Sequence, residues 1–204
     1  CYQKQEGWWR RLMESFLWIV LSYFIGAIPS GYIIGKVFYH VDLKKTGSGN
    51  IGATNAYREL GVVAGLSVFI CDFLKGFIAV HLGMPDPLIV LACAIAAIIG
   101  NDWSIFLHFK SGKGVACGVG AFAYISAPAV LCAFAVWLLV FKAKHIVSLS
   151  SIIAAPVVAL VLLIEGASAE YVIFAALAAV IVIGKHKDNI KRLLKGEEKP
   201  ITRE

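Results

Sequence analysis

At 204 residues, 59% of them hydrophobic, and with a mean hydropathy of +0.79, the chain is too apolar for a soluble domain of its length; this excludes the soluble enzyme and binding-module classes and leaves an integral membrane protein. Nineteen Lys and Arg against thirteen Asp and Glu leave a formal charge of +6, with many of the basic residues in the polar connections and the tail, where they suit anionic headgroups or phosphorylated substrates rather than nucleic acid. Five cysteines without C-x-x-C spacing suggest neither a disulfide framework nor a metal site, and Cys71, Cys93, Cys117 and Cys132 read as small buried hydrophobes.

Cys1 opens the chain with no initiator Met, so residues 1–14 read as an interfacial segment or a processing remnant, with the amphipathic rings of Trp8 and Trp9 suited to a membrane surface. The first span is expected over 15–39. Pro29 sits inside it between Gly26 and Gly31, which predicts a kink where backbone groups are freed. Next comes TGSGNIGATNAYR, residues 46–58, a polar stretch between two apolar runs. Gly47, Gly49 and Gly52 allow close backbone approach, while Ser48, Asn50, Thr54 and Asn55 supply short hydrogen-bonding side chains. A helix starting near Asn50 would offer its first N–H groups and its dipole to a phosphate. Taken alone, the stretch reads equally well as a flexible connection between two membrane helices.

A second span is expected over 60–82, carrying Asp72 and Lys75 three residues apart and therefore paired inside the bundle. Residues 83–87 form a turn. A third span, 88–99, runs into a wetter end at Asn101 and Asp102, followed by the glycine and lysine cluster Lys110-Ser111-Gly112-Lys113-Gly114. The apolar stretch 115–141 is long for one crossing, and Pro128 divides it into two short helices over 113–126 and 127–143, the alternative being one re-entrant element in place of the pair. Spans over 146–164 and 170–183 lead to a polar tail from residue 186. The fold class is thus all-α, a polytopic membrane bundle of seven helices, two of them short. Its transmembrane body is 15–185 and its tail 186–204. Placing Lys44/Lys45, Lys110/Lys113, Lys142/Lys144 and the tail in the cytoplasm puts the N-terminus outside.

On this topology the inner face collects the 46–58 loop, the 110–114 loop, the Ser148/Ser150/Ser151 cluster and the tail, all suited to anion recognition. Each has a bland account as anchor, snorkelling side chain, helix cap or lipid-touching segment; four together favour a site. Gly47 to Thr54 has the P-loop spacing with Ala53 in place of its lysine, which argues against nucleotide hydrolysis. His81 and Asp86 have H-x4-D spacing, but on the turn expected outside, across the bilayer from the phosphate-suited groups, so the match is one of chance. His40, His108, His145 and His186 show no metal-ligand spacing.

The segments GSGNIGATNAYR, FKSGKGVACG and HKDNIKRLLKGEE, with the Asp72-x-x-Lys75-Gly76 pattern, are similar to the signatures of the bacterial acyl-phosphate:glycerol-3-phosphate acyltransferases, and the likeness covers nearly the whole chain. The resemblance implies a seven-helix inner-membrane enzyme lacking the H-x4-D motif. Such an enzyme moves a fatty acyl group from acyl phosphate to the 1-hydroxyl of glycerol 3-phosphate, giving lysophosphatidic acid, among membrane lipids and with no cofactor or metal. It implies catalytic roles for Ser48, Lys113, His186 and Asn189, and substrate binding by Gly49, Asn50, Ile51, Gly52, Ala53, Thr54, Asn55, Arg58, Gly114 and a serine near Ser150. The chain departs from the family pattern at Asn101, Ser104, Ser111 and Cys117, where histidine, proline, glycine and threonine are common. The 49–54 N–H groups and Ser48 are expected to hold the acyl phosphate, and Arg58, Lys113, His186 and Asn189 the glycerol 3-phosphate. The acyl chain is expected in a groove between the first helices. The rival class is a transporter or channel for a phosphorylated solute, which also uses broken helices and glycine-rich loops.

Overall fold

The computed structural model describes residues 2–201, with side chains from Trp8 onward; the reading of Cys1 as a remnant and the end of the tail, 202–204, lie outside the described residues. These residues form ten α-helices and one short 3-10 turn, with no strand among them. The expected first span is two helices, α1 (Tyr2–Ala27) and α2 (Ser30–Phe38), bent by 40° across Pro29. Helix α1 therefore begins well before residue 15. Proline lacks an N–H and forces the preceding residue out of helical geometry, so the carbonyls at the break need other donors. Ser104 Oγ donates to Ala27 O at 2.5 Å, and Lys75 Nζ donates to Ile28 O at 2.5 Å.

Lys75 also meets Asp72 at 2.6 Å, so the expected pair forms and ties α4 (Val62–Leu82) to the kink. Both side chains are buried, and removing one partner leaves the other charge uncompensated. Lys75→Met is therefore expected to cost roughly 3–5 kcal/mol, read as a lower unfolding temperature in detergent. An unchanged melting curve would contradict this role for the pair.

Between the kink and α4 lies α3 (Ala53–Leu60), separated by Gly61 at a φ of +102° that a side chain would strain. Helix α5 (Pro87–Asp102) starts with Pro87 behind Asp86, whose Oδ1 accepts from Leu88 N at 2.9 Å. The other half of the H-x4-D match, His81, meets Tyr124 Oη at 3.0 Å, so both residues have structural duties. Ser126 separates α6 (Val115–Ile125) from α7 (Ala127–Lys144) and caps α7 by accepting from Ala129 N, which places Pro128 in the first turn, where its missing N–H costs nothing. Then come α8 (Val147–Ile164), α9 (Ala169–Lys185) and α10 (Lys187–Leu194), the last two bent by 59° at His186.

Four of the described helices are long and apolar enough to cross a membrane, or up to six segments if each bent pair counts as one. Helix α6, with 11 residues, is about 16 Å long, short of the ~30 Å hydrocarbon core. Helix α1 packs chiefly on α5, α4 on α6, and α8 between α7 and α9. The first two contacts are backbone to backbone. A Cβ on Gly76 would come within 1.9 Å of Cys117 O, and one on Gly120 within 1.9 Å of Phe73 O, the small-residue packing used by membrane helices. Large apolar side chains such as Phe16, Val63, Leu139 and Leu163 are exposed around the outside. Cys93 and Cys117 are buried as expected, whereas Cys71 and Cys132 lie on exposed faces of α4 and α7.

Candidate active site

Asn55 organises the 46–58 loop. Its buried Nδ2 donates to Leu43 O at 3.2 Å and Thr46 O at 3.1 Å, and its Oδ1 accepts from Ser48 N at 2.9 Å. Asn50 Oδ1 accepts from Gly52 N at 2.7 Å, while its Nδ2 donates to Ser111 O at 3.4 Å and joins the second polar loop. Both amides thus hold backbone in place, and Asn50, Gly52 and Asn55 also line the adjoining cavity. The first N–H groups of a helix have no partner within it. In α3 those of Asn55 and Ala56 both reach Gly52 O, which leaves those of Ala53 and Thr54, residues that line the adjoining cavity. Ile51 instead packs into a buried cluster with Leu43 and Ala56, and Gly49 makes the turn at φ +71° without lining the cavity.

In the second loop, Gly112 N and Ser111 Oγ both donate to Asn101 O, at 2.9 and 2.5 Å. Gly114 caps α6 at φ +68°, where a Cβ would stand 3.1 Å from Asp102 Oδ1. That turn directs Lys113 Nζ onto Asn189 Oδ1 at 2.5 Å. Burial pulls the Lys113 ammonium below the usual lysine range, and the nearby Glu198 carboxylate opposes it.

Asn189 Nδ2 in turn donates to Glu198 Oε1 at 2.6 Å, Ser148 Oγ donates to the same oxygen at 2.7 Å, and Arg192 Nε reaches Glu198 Oε2 at 2.6 Å. Burial pushes the Glu198 carboxyl up, but its hydrogen bonds from Ser148, Asn189 and Arg192 outweigh that and hold it below the ordinary glutamate range. Of the three serines, Ser148 and Ser151 line the cavity. Ser150 is fully buried and donates back to Ile146 O at 2.9 Å, so the serine at the site is not Ser150. His186, at the bend beyond α9, is 4% exposed and donates from Nδ1 to Val182 O at 2.7 Å, which leaves Nε2 as the acceptor. Burial lowers its pKa to about 4, so the ring is neutral near pH 7. The tail then crosses the opening: Arg58 Nη2 donates to Lys199 O at 2.8 Å and Ile201 N to His145 O at 2.7 Å.

One cavity of about 530 Å³ collects Ser48, Thr54, Arg58, Lys113, Ser148, His186 and Asn189 from four distant parts of the chain. Its remaining wall is largely apolar and comes mainly from α6, α7, α8 and α9, with Gly65 and Phe69 of α4 and Ile98 of α5, so the groove lies largely among the later helices rather than between the first ones. Phe69, Leu131 and Phe134 line it and are also exposed on the outside, which opens the groove sideways between α4 and α7. Glu198 and Arg192 were not among the residues expected at the site, although both fall within the third quoted segment. Among the described residues no group of three His, Cys, Asp or Glu could hold a metal ion. Fixed donors beside an apolar groove suit a small anion meeting a lipid-like molecule.

Residues 16–196 match the family model described as glycerol-3-phosphate acyltransferase. "Glycerol-3-phosphate acyltransferase 2" of Moorella thermoacetica is 43% identical over 182 residues, covering 88% of this chain and 94% of that protein. The crystal structure of PlsY (YgiH), an integral membrane glycerol 3-phosphate acyltransferase, in its glycerol 3-phosphate form is similar with a TM-score of 0.87 and 37% identity, covering 92% of this chain and 96% of that one. Its lysophosphatidic acid form matches with a TM-score of 0.84 and 35% identity, covering 92% and 95%.

Proposed function

The chain belongs to the glycerol-3-phosphate acyltransferase family, and on that footing we propose that it acylates the 1-hydroxyl of glycerol 3-phosphate with acyl phosphate as donor, giving lysophosphatidic acid for phospholipid synthesis. The observation that carries this reading is the chain of contacts from Lys113 through Asn189 to Glu198, Ser148 and Arg192 at the mouth of an apolar groove. Donors fixed in advance, partly away from water, lose little on gripping a phosphate and cost no reorganisation as charge develops.

Ser48 and the leading N–H groups of α3 hold the acyl phosphate. Arg58, Lys113, Ser148 and Asn189 hold glycerol 3-phosphate, and the acyl chain enters the groove from the lipid side. The attacking oxygen forms a bond to the acyl carbon, the bond from that carbon to the bridging phosphate oxygen breaks, and inorganic phosphate leaves. The hydroxyl proton goes to the departing phosphate, whose second pKa near ~6 makes it a stronger base than a His186 ring titrating at about 4. His186 Nε2 then orients glycerol 3-phosphate by accepting a hydrogen bond from its other, unreacting 2-hydroxyl, which leaves the proton of the attacking hydroxyl free to go to the phosphate. His186→Ala is therefore expected to raise KM for glycerol 3-phosphate while kcat falls less than about tenfold. A collapse of kcat at unchanged KM would make His186 the base instead.

The bundle, 15–185, crosses the bacterial inner membrane with seven helical segments: the bent α1–α2 pair, α4, α5, the short α6, α7, α8 and α9. The N-terminus is outside, and the 186–204 tail and the site face the cytoplasm, a placement supported by the lysines of the 44–45, 110–113 and 142–144 connections. The test is purified protein in detergent with acyl phosphate and labelled glycerol 3-phosphate: lysophosphatidic acid and inorganic phosphate should appear in equal amounts. Product from acyl thioesters alone would overturn the donor, and uptake into sealed vesicles without product would make the protein a transporter.

A further inference from the structure

The apolar groove has a blind end. Its lining runs along α8 from Ser148 through Ser151, Ala154 and Ala155 to Val158, and along α9 from His186 down to Ala175, then stops. The next side chains outward, Leu162 and Phe174, belong to the packed core. Phe122 of α6 and Phe174 of α9 meet there with ring centroids 5.0 Å apart, both of them buried. Above this pair the short side chains of Ala154, Ala155, Ala178 and Ala179 leave the groove open, and the pair divides it from a second apolar hollow of about 290 Å³ between α5 and α9, which Phe174 lines from the other side. The ten helical steps from Ser148 to Val158 give a depth of about 15 Å, roughly half of the ~30 Å hydrocarbon core.

Resting on the acyl-transfer reading above, we propose that the Phe122–Phe174 pair is the end-stop of the acyl groove and sets the enzyme's chain-length preference. Carbon–carbon bonds of ~1.5 Å at tetrahedral angles let an extended chain of roughly a dozen carbons reach the stop from the polar mouth. Longer chains must fold out sideways past Leu131 and Phe134. A side chain added partway down raises the floor, and the loss of an aromatic ring lowers it. Each methylene denied its place in such a pocket is worth roughly tenfold in discrimination.

The experiment compares turnover of octanoyl, decanoyl, dodecanoyl and hexadecanoyl phosphate by the full chain and two variants, with KM for glycerol 3-phosphate measured alongside. Ala155 lines the groove and is only partly buried, so Ala155→Leu fills empty space rather than core. The raised floor, about 10 Å below Ser148, leaves room for roughly eight carbons, so the octanoyl to dodecanoyl ratio should rise by about tenfold or more while KM for glycerol 3-phosphate stays within about twofold. Phe122→Ala should shift the ratio towards the longer donors. If the second variant does not fold, the first decides. Unchanged ratios, or an equal loss with every donor, would overturn the end-stop while leaving acyl transfer intact. Failure of the unaltered chain to use any donor would instead defeat the reaction proposed above.

Discussion

Lys113→Ala is expected to lower kcat/KM for glycerol 3-phosphate by roughly a hundred- to a thousandfold while the protein still folds. Among the described residues the Lys113 ammonium is the lysine head placed on Asn189, at 2.5 Å, and it lines the cavity together with Ser48, Thr54 and Arg58. A preorganised cation loses none of its effect to reorganisation, so its removal is felt mainly in the transition state. Structurally the loss is limited to one hydrogen bond to Asn189 Oδ1, about 1–3 kcal/mol if that oxygen stays dry. Stopped or continuous phosphate-release kinetics on folded, monodisperse variant would show it. Near-normal turnover would remove Lys113 from the mechanism.

Glu198→Gln should weaken both function and fold. The carboxylate accepts from Ser148, Asn189 and Arg192, so a neutral amide would turn one acceptor into a donor facing donors. Arg192 is 42% exposed, and its ion pair is discounted for solvent, which leaves about 1–3 kcal/mol from the two buried hydrogen bonds. With Asn189 and Ser148 no longer pinned, KM for glycerol 3-phosphate should rise by about tenfold or more. The pH dependence carries the same sign. The folded-state pKa of Glu198 lies below its ordinary 4.5, so its stabilisation is present above that value and is lost as pH falls through the folded pKa. Unfolding temperature should therefore drop on acidification below pH 4.5 more steeply in the parent than in Glu198→Gln. Identical acid profiles and an unchanged KM would leave Glu198 as a surface charge.

Much of the architecture could be read from local rules. Proline at 29 announced a break, the Asp72–Lys75 spacing announced a buried pair, and Pro128 divided a stretch too long for one crossing. These succeed because a membrane leaves a chain few choices: backbone groups must be satisfied within helices, and charges must find partners. The meeting of the three polar segments also followed from parity and lysine placement. What could not be read was which atom of a polar side chain meets which neighbour. Asn50 and Asn55 have the chemistry of a phosphate ligand, yet their amides fold the loop. Ser148 and Ser150 differ by two positions on one helix, about 200° of rotation, and only the packing of α8 decides that Ser148 faces the cavity. Glu198 was not singled out from the basic tail, and only the strap held by Arg58 and His145 brings it inside. The groove was expected between the first helices but lies mainly among the later ones: α1 and α5 close on each other through contacts such as Gly26 against Ala97 O, while the short alanine side chains of α8 and α9 leave space unfilled.

The central claim is that segments far apart in the chain form one phosphate-gripping pocket at the cytoplasmic end of the bundle. The most direct measurement uses single cysteines at lining positions from three of them, Ala53→Cys, Ala116→Cys and Val182→Cys, in a chain otherwise free of cysteine, with a membrane-impermeant maleimide and oriented vesicles. All three should react only from the cytoplasmic side, and glycerol 3-phosphate should slow all three together. Reaction of any one from the outer face, or protection of one while the others stay unprotected, would contradict it.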